Sequence, residues 1–197
     1  ADLIDDLPDE KAAAIVDEMP SDQQADILAA LPKEEAEGIL QEMDPEEAQD
    51  ARNLMTYDPD TAGGIMVTEF LRYPESLTVR GVLDDLRENA ETYSGYDVLY
   101  AYVVDDHQRL VGVVRLRDLL LAPNDAIVGK LMSRETVKVS ADSGLDDLSD
   151  LFEKNEFFGL PVCIGDGKLV GVVKRTSFQE AMESRADKNF LAASGIL

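Results

Sequence analysis

The 197-residue chain is poor in the side chains from which most small sites are built. It has one cysteine, Cys163, and one histidine, His107, the latter in a polar turn, DDHQR. A single cysteine excludes a disulfide framework and suits a reducing compartment. One His and one Cys are also too few for a zinc site of His and Cys ligands. Bases are scarce: 18 Lys and Arg stand against 41 Asp and Glu, a net charge of −23. A polyanion needs Lys and Arg, which argues against nucleic acid as a partner. No run of about 18 apolar residues is present, so no stretch of this sequence reads as a membrane span. There is no G-x-S-x-G elbow and no P-loop. The paired acids Asp84–Asp85 and Asp105–Asp106 read as polar surface, and the chain reads as a non-enzyme. It opens on Ala1 in an acidic segment, which reads as a trimmed chain without a signal peptide.

What is abundant is acid, unevenly spread. Residues 1–62 hold 19 acids and 3 bases, so −16 of the −23 lies in the first third. A cation is the natural partner of such a surface, the alternative being a solvated face that only aids solubility. The same segment repeats with a period of twelve. Pro8, Pro20 and Pro32 are evenly spaced and Pro45 comes one residue late, with apolar pairs Ile15–Val16, Ile27–Leu28 and Ile39–Leu40 between them. Proline suits the first turn of a helix, and acids suit its positive end. Each unit is therefore expected to be one helix of roughly two turns, ended by the next proline. Helices that short are marginal alone and must stack to bury their apolar stripes. Residues 1–55 are read as such a stack, of either hand, followed by a linker over 56–62.

Past the breakers in YDPDTAGGIM the chain is duplicated. VLDDL at 82–86 answers GLDDL at 144–148, and each leads to an apolar β run, a polar turn, LVGVV and a helical segment. This alternation argues α/β packing. A helix, a strand of the LPV type, a turn and an LVGVV strand resemble the CBS domain, and two in tandem resemble a CBS pair. Joined to the acidic repeat through DTAGGIM, the whole resembles the cytosolic portion of the MgtE magnesium transporter family. The fold class is then α+β overall. A short-helix superhelical N-terminal domain is followed by an α/β tandem CBS pair, at 63–124 and 125–180, and a C-terminal connecting helix over 181–197. The resemblance further implies a homodimer through the CBS domains, a transmembrane pore domain outside this chain, and a place on the cytoplasmic side of the cell membrane. The run Leu119–Leu121 cannot all face one core and is a plausible part of the dimer contact.

Magnesium is a hard cation that prefers oxygen ligands and keeps several waters. Asp22 and Asp26 are four apart, hence on one helix face. They match a DxxxD pair that contributes metal ligands in the family. The resemblance carries metal roles to Asp146, Glu156 and Glu180, with the backbone at Glu153, and more weakly to Asp147. Family acids of the terminal helix appear here as Ser177, Arg185 and Lys188, so sites on that helix are expected to be fewer. The two bases could pair with acids across the interface instead.

The two LVGVV copies diverge at one informative position, Asp118 in the first and Ser177 in the second. In nucleotide-binding CBS pairs an Asp there accepts from ribose hydroxyls while a base reaches the phosphates. By family position Tyr100, Arg117 and Phe157 would frame an adenine nucleotide, with Ser177 as the ribose residue of that cleft. A hydroxyl replaces a carboxylate poorly, which implies a weakened or lost ATP site. The alternative role for Asp118 is as the N-terminal charge of its helix alone. The expected function is a Mg2+-sensing regulatory module of a membrane transporter, closing when Mg2+ bridges the acidic domain and the CBS pair. The rival is an adenine-nucleotide-sensing CBS module with the acidic repeat as a protein-docking scaffold; a purely structural dimerisation domain is the blander reading.

Overall fold

The computed structural model describes residues 7–193. The start of the first repeat unit, within 1–6, and the tail of the connecting helix, at 194–197, lie outside the described residues. Each repeat unit is one helix: α1 (Asp9–Val16), α2 (Ser21–Ala30), α3 (Lys33–Glu42) and α4 (Pro45–Leu54). The first three begin directly behind Pro8, Pro20 and Pro32, and α4 has Pro45 as its first residue. Proline's fixed φ is preorganised for a helix start, while its ring offers no cap. Only Asp44 caps with its own side chain, accepting from the Glu46 amide at 2.9 Å. Helices pack alternately, α1 on α3 and α2 on α4, around Ala12, Val16, Leu28, Ile39, Leu40 and Ala51. No one of these helices could bury that surface alone.

The first α/β copy contains α5 (Ala62–Ile65), β1 (Leu71–Pro74), α6 (Val79–Glu88), β2 (Tyr100–Val104), β3 (Leu110–Arg115) and α7 (Leu116–Leu121). The second repeats the order as α8 (Val128–Leu131), β4 (Val139–Ser140), α9 (Leu145–Lys154), β5 (Gly159–Ile164), β6 (Lys168–Lys174) and α10 (Arg175–Ala193). Each makes a three-stranded sheet, with its first two strands parallel and its last two antiparallel. The registers correspond. Val103 lies opposite Gly112 and Val162 opposite Gly171, and each sheet shifts register at the next residue.

The glycine of LVGVV has a steric reason. The segment leading into each copy crosses onto the other copy's last strand, Val67 pairing with Val172 and Ser133 with Val113. A Cβ on Gly171 would run into the Met66 side chain, and one on Gly112 into Met132. Only glycine allows that approach. DTAGGIM therefore packs on the second copy: the Ala62 amide donates to the Ser143 carbonyl and that of Gly63 to Ala141, both at 2.8 Å. Ala62, Ile65 and Met66 join the second copy's core, as do Ala25 and Leu54 of the helical stack. The copies share a further apolar layer of Tyr102, Val104, Leu110, Cys163 and Leu169.

Two expectations change. The connecting helix does not begin at 181, because α10 runs unbroken from Arg175. Leu119 is fully buried in the first copy's core, so of the three leucines only Leu120 and Leu121 are offered to the outside. Among the described residues no helix is long and apolar enough to cross a membrane.

Candidate functional site

The helical stack meets the CBS pair where α2 faces α10. Pro20 leaves the start of α2 without a local cap, and Glu69, from the segment entering β1, supplies one from afar. Its carboxylate accepts from the Ser21 amide and hydroxyl, both at 2.7 Å, and the Thr68 amide donates to Ser21 Oγ at 2.9 Å. An anion at the positive end of a helix satisfies orphan amides. This clamp turns Asp22 and Asp26 toward α10 across a cleft of about 490 Å3, whose lining also includes Asp60, Ser177, Glu180 and Lys188. The Ser177 hydroxyl donates to Asp22 Oδ2 at 2.8 Å. Partial burial, then the charge of Asp22, push the Asp26 carboxyl above its ordinary range, and Lys188 pulls it back.

Three of the expected metal residues, Asp22, Asp26 and Glu180, thus line one cleft. The others are not part of its lining. Asp146 accepts from Arg185 at 2.7 Å, a pairing of α9 with α10 inside the second copy and not the pairing across the interface expected of the bases on α10. Glu153 accepts from Ser149 at 3.3 Å, within α9, and Glu156 is exposed in the loop before β5. Carboxylate and hydroxyl oxygens suit a hard cation. Among the described residues, however, no three acidic, His or Cys side chains converge closely enough to hold a bare ion. The volume leaves room for an ion held through its waters, each of which fills roughly 30 Å3 in the liquid.

A second cleft, of about 470 Å3, lies between the copies. Tyr100 and Phe157 line it as expected, and the acids in it are Asp118, with Arg115 beside it, and Glu135. Ser177 is elsewhere, bonded to Asp22. The expectation that Ser177 is the ribose residue of this cleft is therefore overturned, and with it the reason for a weakened nucleotide site. The pseudo-twofold places the helix start after β3 against the loop before β5, so the carboxylate facing Phe157 comes from the first copy. Arg117 is mostly exposed; it and Arg115 both approach Asp118, at 3.6 and 3.0 Å. Arg175 instead binds the carbonyls of Phe152, Asn155 and Phe157, and its guanidinium stacks 4.7 Å from the Phe152 ring centroid. It fixes the loop that carries Phe157.

Two carboxylate arrangements escaped sequence reasoning. Asp85, read as polar surface, accepts from Tyr73 and Tyr93 hydroxyls at 2.8 and 3.0 Å. In the helical stack, burial and the facing Asp17 push the Glu47 carboxyl up to about 7. Asp17 Oδ1 is buried with no hydrogen-bond partner, and burial raises the Asp17 carboxyl as well. No local spacing announces contacts between residues so far apart in the chain. The Ser21–Glu69 clamp was hidden for the same reason.

Comparison with known proteins bears on the whole arrangement. Residues 1–60 match the family model of the MgtE intracellular N domain, and residues 62–125 and 128–184 that of the CBS domain. The magnesium transporter MgtE of Thermus thermophilus is 35% identical over 139 residues, 69% of this chain but 30% of that protein. The chain thus spans about a third of the length of the curated relatives it matches. The crystal structure of the soluble part of a magnesium transporter superposes with a TM-score of 0.86 at 29% identity, covering 94% of this chain and 72% of the other. The cytosolic domain of the Mg2+ channel MgtE in complex with ATP superposes at 0.67 with 30% identity, covering 88% and 80%. With an acidic helical stack clamped to a tandem CBS pair and both parts matched, the chain belongs to the MgtE family.

Proposed function

We propose that the chain is a magnesium-sensing regulatory module on the cytosolic side of a membrane transporter, working by a change of domain arrangement and not by catalysis. The observation that carries this reading is the cleft in which Asp22 and Asp26 of α2 face Glu180 of α10. Residues 1–62 carry −16 and the remainder −7, so closing one on the other costs Coulomb energy that grows as salt is diluted. A hydrated divalent ion in the cleft reverses that sign locally, and an ion that binds the closed form better shifts the population toward it. Carboxylate sites of low ligand charge and low rigidity are weak, on the order of 10⁻⁴–10⁻³ M among calcium-binding modules. The closed state would act on the pore domain through α10, and a homodimer through the CBS domains, with Leu120 and Leu121 in the contact, would couple two such modules.

Small-angle scattering tests this. The radius of gyration should be smaller in a few millimolar Mg2+ than in NaCl of equal ionic strength. Asp22→Asn combined with Asp26→Asn should respond less, even if it starts more compact. Equal contraction of both proteins would reduce the two aspartates to a solvated face.

A second reading has an observation of its own. The cleft holding Asp118, Tyr100, Phe157 and Arg115 offers a carboxylate for ribose hydroxyls, aromatic faces for a base and a guanidinium for phosphate. A relative's cytosolic domain was crystallised with ATP. An adenine nucleotide in this cleft would be a second input to the same module.

A further inference from the structure

The cleft between α2 and α10 is not purely acidic: its one base and both of its hydroxyls lie on α10. Ser177, Ala181, Ser184 and Lys188 of α10 line it at intervals of three or four residues, a single helical face. Opposite stand Asp22 and Asp26, with Asp60 and Glu180 completing four carboxylates around one ammonium. The Ser177 hydroxyl donates to Asp22 at 2.8 Å. A carboxylate at 177 would set two anionic oxygens against each other there, and one at 188 would leave the cleft lining with no positive charge. On the neighbouring face Arg185 donates to Asp146 at 2.7 Å, tying α10 back to α9 and so fixing the line along which Ser177 and Lys188 are presented.

We propose that the Ser177 hydroxyl and the Lys188 ammonium are built-in substitutes for part of the cation charge at this interface, so that the helical domain docks on α10 with little or no divalent ion. The inference rests on the reading that closure is the regulated event and adds how this chain sets its threshold. A tethered ammonium lessens the repulsion among these carboxylates at every ion concentration, and a tethered donor removes the need for a water or an ion beside Asp22. The closed population is then already substantial without Mg2+, and its rise with Mg2+ is shallow because fewer ions are taken up on closing.

The test compares the unaltered chain with Ser177→Asp combined with Lys188→Glu. Scattering is recorded in EDTA and through a Mg2+ titration at constant ionic strength, with circular dichroism as the check on folding. The unaltered chain should be more compact in EDTA than the double variant and should contract further in Mg2+ by a smaller amount. The double variant should expand in EDTA, recover its compaction in millimolar Mg2+, and do so more steeply. Lys188→Gln, which keeps the helix and loses only the charge, should lie between them should the double variant misfold. Adding Asp22→Asn to Ser177→Asp should restore compaction in EDTA, since an amide can pair with the new carboxylate. Equal radii in EDTA for the unaltered chain, the double variant and Lys188→Gln would overturn the proposal. If the variants expand in EDTA but no protein responds to Mg2+, the docking role stands and the magnesium reading falls.

Discussion

The two α/β copies share strand order, register and the crossing of a methionine over a strand glycine, yet their last helices begin on different neighbours. Asp118 opens α7 beside a cleft that holds Tyr100 and Phe157. Its counterpart Ser177 sits in α10 against Asp22 of the acidic stack. A carboxylate is tolerable in the first place, where Arg115 and Arg117 approach it, and repelled in the second, where the facing group is itself a carboxylate. Duplication carried the backbone over, and the neighbour of each copy decided which side chain the position could hold. The departure at Ser177 thus reads as adaptation to the helical domain. It says nothing against a nucleotide cleft that uses Asp118.

The equivalence of the copies is tested most sharply at the strand glycines. Gly112→Val and Gly171→Val each drive a Cβ into a methionine, and each should lower stability by about 1–3 kcal/mol or more, as overpacked cores do. Urea unfolding should find the two losses alike. A tolerated Gly171→Val beside a damaging Gly112→Val would mean that the crossings are not equivalent.

The divergence at the helix start is sharpened by ligand binding. Losing hydrogen bonds to a charged group costs about 1.5–3 kcal/mol. Asp118→Ala should therefore weaken ATP binding in calorimetry by roughly tenfold or more, while Ser177→Ala leaves it within about twofold. The opposite pattern would return the ribose role to Ser177.

A smaller effect separates the helical domain from the CBS pair. The Glu47 carboxyl stands at about 7 against an ordinary 4.5, so the folded stack binds a proton that the unfolded chain has released. The stability this contributes is complete below the ordinary value and is lost as pH rises through about 7. Between about pH 6 and about pH 8 the melting temperature should fall, and Glu47→Gln should flatten that slope. An unchanged slope in the variant would place the pH dependence elsewhere.

Much of this was legible in the chain. Prolines twelve or thirteen apart mark four helix starts because a fixed φ and a missing amide act on their own residue. The repeated LVGVV marks two equivalent strands because a strand's identity lies in its neighbours along the chain. The pairing of Ser21 with Glu69, of Asp17 with Glu47 and of Arg185 with Asp146 was not legible, since nothing local brings such partners together. The resemblance named Asp22, Asp26 and Glu180, which share a cleft, and also Asp146, Glu153 and Glu156, which do not line it. Position in a family alignment cannot register that Arg185 already holds Asp146.

By itself, then, the sequence determined the short-helix stack, the duplicated α/β unit, the family and the excess of negative charge, all set by local periodicity, turn chemistry and composition. Only the tertiary structure decided which helix start opens on a cleft, which one faces the acidic domain, and which carboxylates stand close enough to contend for a proton or a cation. Those outcomes depend on distances between residues far apart in the chain. Electrostatics and hydrogen bonding, which vary steeply with distance, act only once the fold has fixed them.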